Sequence, residues 1–154
     1  MKPAKRYSDL MSELLNELAE MTNSVDVPVG ALVLDKNLEV IAKSFNHRVE
    51  KNDPTAHAEI VAIRDAAKKI GNYRLDDLTI LVTLEPCGMC AGAIAQSRMK
   101  RLVFGAFDKK AGAVGSVWDL LRDTKAIYKP EVISGVLDAE STSILRNFFT
   151  DSRR

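Results

Sequence analysis

The sequence predicts an α/β fold built in layers, because segments typical of strands alternate with segments typical of helices. Near the N-terminus, apolar residues recur at steps of three and four, which indicates an amphipathic helix. Short β-rich runs such as 78–84 lie between helical patterns. No internal repeat or linker-like stretch divides the 154 residues, so we expect a single domain over residues 1–154.

Helices are predicted wherever apolar residues follow the helical period between start and stop signals. In chain order they span 7–21, 56–70, 87–96, 118–122 and 139–149. The first carries an apolar stripe that begins at Tyr7 and Leu10, and it ends at Asn23. For the second, Thr55 is the candidate cap and Gly71 the stop signal.

Strands are predicted from short apolar runs bounded by turn residues. They span 29–34, 38–42, 78–84, 101–106 and 132–136. The turn Asp35-Lys36-Asn37 between the first two indicates a β-hairpin. Two loops are expected, one over 46–55, marked by Asn52-Asp53-Pro54, and one over the Gly- and Ala-rich segment 105–115.

Composition is that of an ordinary globular protein, with 46% hydrophobic and 28% charged residues. No apolar run approaches the roughly 20 residues that span a bilayer, and no signal peptide is evident, so we expect no membrane contact and a cytoplasmic location. A net charge of +1 does not by itself indicate a nucleic-acid partner, so any polyanion must be held by local basic pairs. The candidate pairs are Lys68-Lys69, Lys100-Arg101, Lys109-Lys110 and Arg153-Arg154.

Both cysteines of the chain fall in one short motif, Pro86-Cys87-Gly88-Met89-Cys90, and one of its two histidines begins the motif His57-Ala58-Glu59. Two thiolates and one imidazole are three zinc ligands, which leaves the fourth position open as in catalytic zinc sites. Glu59 adds a carboxylate that need not touch the metal. The combined H-x-E and P-C-x-x-C pattern is typical of zinc-dependent nucleobase deaminases.

Taken alone, a C-x-x-C pair has other interpretations. It could be a redox motif, which would need a thioredoxin-like setting, or half of a zinc knuckle, which would need a second ligand pair that the chain lacks. His57 alone could be an ordinary polar residue on a helix. The other histidine, His47, lies in a polar loop, and we assign it no role.

The pattern predicts a specific reaction chemistry. His57, Cys87 and Cys90 would bind one Zn²⁺ per subunit, and zinc can lower the pKa of a bound water from 15.7 to roughly 7. The resulting hydroxide would attack the base, with Glu59 carrying the proton first to the ring nitrogen and then to the leaving amine.

Longer strings resemble the bacterial tRNA-specific adenosine deaminase family, in order and without large gaps from about residue 27 to the last helix. They include Val27-Pro28-Val29-Gly30-Ala31, Asp53-Pro54-Thr55-Ala56-His57-Ala58-Glu59-Ile60, Asn72-Tyr73-Arg74-Leu75, Val82-Thr83-Leu84-Glu85-Pro86-Cys87 and Val103-Phe104-Gly105-Ala106. The resemblance implies the three-layer αβα cytidine deaminase fold with a central mixed five-stranded sheet. It also implies a homodimer that converts adenosine to inosine, by attack at C6, at the wobble position of a tRNA anticodon stem-loop, usually of an arginine tRNA.

The same resemblance implies roles for residues that the metal motifs do not include. Asn46 would hydrogen-bond the target nucleotide, and Asp108 would contact a neighbouring anticodon nucleotide. Pro28 and Val29 would line the base pocket, and the Ala58 amide would contact the edge of the base. The remaining two residues, Phe148 and Phe149, would pack near the entrance, although core packing of the last helix explains these aromatics equally well.

Two departures from the family pattern and two rival functions remain. Ser24-Val25-Asp26 stands where a Gly-Glu pair is expected, and Phe107 stands where a polar or basic residue is common. The first rival is a deaminase of a free base or nucleotide, such as guanine or cytosine. The second is a non-catalytic module stabilised by zinc, against which the free carboxylate of Glu59 argues.

Overall fold

The computed structural model describes residues 2–152, so the basic pair Arg153-Arg154 lies outside the described part of the chain. Its helices are α1 (Pro3–Glu20), α2 (Ala58–Ile70), α3 (Gly88–Gln96) and α4 (Asp138–Ser152). Its strands are β1 (Gly30–Leu34), β2 (Val40–Phe45), β3 (Thr79–Leu84), β4 (Arg101–Ala106) and β5 (Glu131–Ile133). Among these described residues, no helix is both long and apolar enough to cross a bilayer.

The strands form one mixed sheet in the order β2-β1-β3-β4-β5. β1 pairs antiparallel with both β2 and β3, whereas β3, β4 and β5 run parallel. The parallel pair β3–β4 needs a crossover, which α3 supplies, while β1 and β2 are joined directly as the predicted hairpin.

Helices cover both faces of the sheet, which confirms the predicted layers. Along β1, Ala31 and Val33 join one apolar cluster, whereas Leu32 and Leu34 join the other, because successive side chains point to opposite faces. The first cluster includes residues of α2 and α3, and the second includes the buried stripe of α1. That stripe consists of Tyr7, Leu10, Met11, Leu14, Leu15 and Leu18.

The hairpin turn is longer than the three residues predicted, so β2 begins at Val40 rather than at residue 38. Asp35 Oδ1 accepts hydrogen bonds from the amides of Asn37 (2.8 Å) and Glu39 (3.0 Å). Leu38 lies between them with a φ of +63°, which is incompatible with a strand. The side chain of Asp35 therefore extends the turn, an effect that hydrophobic patterning does not detect.

The predicted helix over 118–122 is wrong, because this segment forms turns and an isolated bridge between Val114 and Asp119. The amide of Leu120 donates to Ala113 O at 2.9 Å, and Trp118 O accepts from the amide of Gly115 at 2.7 Å. These bonds fold the segment back on 113–115 and replace the i→i−4 bonds of a helix. The predicted strand over 132–136 is likewise shorter, since β5 ends at Ile133.

The topology brings several connecting segments to one edge of the sheet. Because β3 and β4 are parallel, segments 85–87 and 107–111, which follow them, leave the sheet at the same edge. Because β1 is antiparallel to β3, the residues that precede β1 lie there too. The end of β2 joins them, since the amide of Asn46 donates to Val29 O at 3.0 Å. This edge is where a site can be assembled from residues distant in sequence.

Candidate metal centre and active site

Two helix starts bring the three candidate ligands together. His57 occupies the N-cap position of α2 and Cys87 that of α3, each with its side chain free of capping bonds, and Cys90 lies in the first turn of α3. His57 Nδ1 is 3.3 Å from Cys90 Sγ and 3.5 Å from Cys87 Sγ, and the three ligand atoms all lie within 4.8 Å of one another. A tetrahedral zinc with ordinary Zn–N and Zn–S bonds separates its N and S ligands by about 3.6 Å. The residues therefore fit a zinc ion.

The protonation of the two sulfurs is unequal. A hydrogen bond from the Cys90 thiol lowers the pKa of Cys87 to about 3, so Cys87 is a thiolate at neutral pH. The same hydrogen bond, together with burial, raises the pKa of Cys90. A metal bound here would displace the Cys90 proton, since cysteine binds zinc as the thiolate.

Glu59 lies in the first turn of α2, two residues after His57. Its side chain is buried, with a relative exposure of 4% for the residue, and the pKa of its carboxyl is raised mainly because burial disfavours the charged form. Among residues 2–152, only His57, Cys87 and Cys90 bring three such ligand atoms close enough together to share a metal ion. Glu59 is thus a carboxyl beside the cluster and separate from its ligand set.

A cavity of about 230 Å³ opens over this cluster. Its volume is below the range of about 300–1,000 Å³ that is typical of sites for drug-sized ligands, which suits a single base. Its walls come from every segment at the shared sheet edge and from the start of α2. The lining residues are Val27, Val29, Asn46, Arg48, His57, Ala58, Glu59, Leu84, Glu85, Cys87, Asp108 and Ala111.

Comparison with known proteins identifies the family. A family model described as MafB19-like deaminase matches residues 6–153. The tRNA-specific adenosine deaminase of Haemophilus influenzae is 46% identical over 153 residues, covering 99% of this chain and 88% of its own. The chain belongs to the tRNA-specific adenosine deaminase family. The predicted family is therefore confirmed.

Solved structures agree with this assignment. A structure from studies of A-to-I editing by tRNA:A34 deaminases superposes with a TM-score of 0.82 at 42% identity, over 88% of this chain and 99% of that chain. The match confirms the predicted cytidine deaminase fold around a mixed five-stranded sheet. A guanine deaminase of Bacillus subtilis is more distant, with a TM-score of 0.59 at 34% identity over 70% of this chain and 66% of its own.

Most of the substrate-binding residues predicted for this deaminase line the cavity itself. Val29, Asn46, Ala58 and Asp108 all do so, together with His57, Glu59 and Cys87. Asn46 is held on both sides, because its Nδ2 donates to Val27 O at 3.2 Å and its Oδ1 accepts from the amide of Arg48 at 3.3 Å. The roles of these residues toward a substrate stay predictions.

The other three predicted residues lie outside the lining of the catalytic cavity. Pro28 and Phe148 line a separate cavity of about 340 Å³ between the end of α1 and α4. Phe149, which is half exposed, lines a groove of about 880 Å³ along α4. That groove shares four lining residues with the catalytic cavity, namely Val27, Leu84, Asp108 and Ala111. The two neighbouring phenylalanines therefore line different cavities, although their rings meet edge to face with centroids 5.4 Å apart.

Sequence reasoning missed Arg48 and Glu85 as cavity residues. Arg48 follows Asn46 in a polar loop, where nothing local distinguishes it from a solvated arginine. For Glu85 a signal exists, because it directly follows the apolar strand β3 and precedes Pro86. A carboxylate in that place is buried by the topology, and its exposure is 2%.

Proposed function

We propose that this deaminase hydrolyses adenosine to inosine at the wobble position of a tRNA anticodon loop. One observation carries the proposal. The His57, Cys87 and Cys90 cluster and the buried Glu59 lie together at a base-sized cavity, in a chain 46% identical to a tRNA-specific adenosine deaminase. A base inside a duplex could not reach this cavity, whereas a base in a loop can be flipped out into it.

The reaction divides between the metal and the chain's own residues. His57, Cys87 and Cys90 would hold zinc, which supplies Lewis-acid activation of the attacking water. Glu59 takes one proton of the attacking water and delivers it to the ring nitrogen, and it then carries the second proton of that water to the amine, which leaves as ammonia. Burial excludes bulk water from this carboxyl between the two transfers.

Cavity residues orient the base toward that carboxyl. Asn46 retains one amide proton and acceptor capacity beyond its two hydrogen bonds, so its side chain can bind the nucleotide while it stays fixed. Ala58 is the first residue of α2, and an amide in that position has no partner within its helix. Val29 supplies an apolar wall, and Pro28 supports it from the neighbouring cavity.

Nucleotides that flank the target base are proposed to run along the groove that leaves the cavity past Asp108. The groove combines the exposed aromatics Phe107 and Phe149 with the cationic side chains Lys109, Lys110 and Arg146. Aromatic faces that stack on bases, beside cations that meet phosphates, are typical of single-strand binding sites. The proposed partner is the anticodon stem-loop, with an arginine tRNA as the expected substrate in the cytoplasm.

Replacing Phe149 with Ala is expected to raise KM for an anticodon stem-loop by about 5–150-fold, since base–aromatic stacking contributes about 1–3 kcal/mol. kcat at saturating RNA should change little. The comparison variant is Phe148→Ala, which removes the ring packed edge to face on Phe149 but lies in the cavity between α1 and α4, so it should raise KM less than Phe149→Ala does. Steady-state kinetics with both variants is the measurement, and equal KM effects would contradict the assigned path.

A homodimer is proposed on the basis of the family resemblance, and an exposed apolar surface supports it. Val117, Trp118 and Leu120 are each more than two-fifths exposed, and Leu120 lies beside Gly88 at the start of α3. Leu120→Lys should shift the protein from dimer to monomer in sedimentation velocity. Val25→Lys, at an apolar residue that is 66% exposed elsewhere, should leave the dimer intact.

The deciding experiment offers zinc-loaded protein an anticodon stem-loop with adenosine at the wobble position, beside free adenosine, cytidine and guanine. Inosine formed only in the stem-loop is the expected result. Turnover of a free base with the RNA untouched would favour the free-base alternative instead. If none of the substrates were deaminated, the result would favour a non-catalytic zinc module.

A further inference from the structure

Two buried carboxylates near the cavity have no part in metal binding or proton transfer. Asp26 is 3% exposed and Glu85 is 2% exposed. Neither forms an ion pair among those found in residues 2–152. A carboxylate removed from water is costly unless hydrogen bonds replace its hydration, so the partners of these two groups indicate what they do.

Within the described residues, the hydrogen bonds to the side chain of Glu85 all come from the loop after β4. Its Oε1 accepts from the amide of Asp108 at 3.1 Å and from the hydroxyl of Ser116. Its Oε2 accepts from the amides of Val114 at 3.0 Å and Ser116 at 3.1 Å. Gly112 packs so closely that a Cβ there would lie 2.4 Å from Oε2. The carboxylate of Glu85 is thus hydrogen-bonded to both ends of segment 108–116.

Asp26 does the same for the loop after β2. Its Oδ1 accepts from the amide of Val49 at 2.7 Å and its Oδ2 from the amide of Glu50 at 3.2 Å. These amides belong to a turn that follows Asn46 and Arg48, both of which line the cavity. Like Glu85, Asp26 contacts backbone donors, so its effect is on the shape of a loop.

Both loops contribute to the wall of the cavity and have little regular structure to hold them. Segment 46–50 carries Asn46 and Arg48, and segment 108–116 carries Asp108 and Ala111. If either loop left its position, the fraction of molecules able to bind substrate would fall, and the apparent affinity would fall in proportion. The chemistry at the metal cluster would be unaffected in the molecules that do bind.

We propose that Asp26 and Glu85 are positioning residues that hold the two walls of the cavity in the conformation that binds the RNA loop. Each acts through backbone amides of one loop, Asp26 on 46–50 and Glu85 on 108–116. Their significance for RNA binding rests on the proposed function, whereas their hold on the loops can be tested without substrate.

Amide hydrogen exchange of Asp26→Asn and Glu85→Gln tests directly whether the two carboxylates fix the conformations of segments 46–50 and 108–116. In either orientation of the new side-chain amide, its NH2 group faces at least one backbone N–H. Because an NH2 group cannot accept a hydrogen bond from that N–H, at least one of the bonds to the loop is lost. In Glu85→Gln, amides in 108–116 should exchange at least about tenfold faster, while those in 46–50 keep their wild-type rates. Asp26→Asn should show the reverse, so each variant is the control for the other. Unchanged exchange in the contacted loop would overturn the proposal.

Kinetics on the stem-loop tests the consequence for binding. Both variants should raise KM by about tenfold while kcat stays within about threefold and zinc content is unchanged. Ser116→Ala removes one of the four bonds to Glu85 and should give a smaller change in the same direction, even if Glu85→Gln folds poorly. The control is Thr83→Val, which removes the buried hydroxyl that accepts a hydrogen bond from the Gly30 amide (3.1 Å) within the sheet. An equal rise in KM for Thr83→Val, or loss of kcat alone, would show a general structural effect.

If the wild-type protein leaves the RNA unmodified, the proposed function fails. The exchange experiment then still decides the role of the two carboxylates.

Discussion

Glu59→Gln is expected to lower kcat for the stem-loop by about 10²–10⁴-fold while the protein keeps one zinc per chain. Glutamine has nearly the shape of glutamate, so the packing around this buried side chain should survive. It cannot accept and release the proton that the reaction moves from water to the base. Because Glu59 lies outside the ligand cluster, zinc should remain bound.

Glu140→Gln provides the matched control for this change. Glu140 is also a glutamate in the first turn of a helix, α4, but it is exposed and lines none of the cavities described above. Its replacement should leave kcat and KM within about twofold of wild type, as is usual for surface substitutions. Single-turnover deamination and metal analysis on the two variants separate proton transfer from metal loss. A Glu59→Gln variant with near-normal kcat would remove Glu59 from the mechanism.

The metal cluster and the helices that carry it were predictable from sequence because their signals are local. His57, Cys87 and Cys90 are scarce residue types at helix starts, and the apolar period predicted α2 to within two residues. Its N-cap is His57 rather than the predicted Thr55, so the helix begins at Ala58 rather than at residue 56. The strands of the sheet were recognisable for the same reason. Such patterns depend only on residues a few positions apart.

The rest of the cavity depends on contacts between residues far apart in sequence. Glu85 is buried because segment 108–116 folds over it, and Asp26 because segment 46–50 does. The turns over 118–122 replace a predicted helix because the amides of Trp118 and Leu120 donate to carbonyls in 112–113. Neighbouring Phe148 and Phe149 enter different cavities because α4 is packed along both. Hydrophobic periodicity does not encode any of these pairings.

His57→Ala is expected to abolish both zinc binding and deamination, and to lower the melting temperature. His57 fixes the start of α2 to the start of α3 through the shared cluster. A metal that binds only the folded state stabilises it, by about 2.7 kcal/mol when zinc is at 100 times its Kd. For a chain of this size that corresponds to roughly 5–11 °C.

The chain supplies its own control, since its other histidine, His47, pairs with Glu50 at 2.7 Å and lies outside the cluster. His47→Ala should keep one zinc per chain and the full rise in melting temperature when zinc is added to stripped protein. His57→Ala should show neither, and added zinc should not restore its activity. Calorimetry with metal analysis on both variants measures this difference. If His57→Ala retained a full zinc equivalent, the ligand set would be wrong. If zinc failed to raise the melting temperature of stripped wild-type protein, the cluster would not couple the two helices.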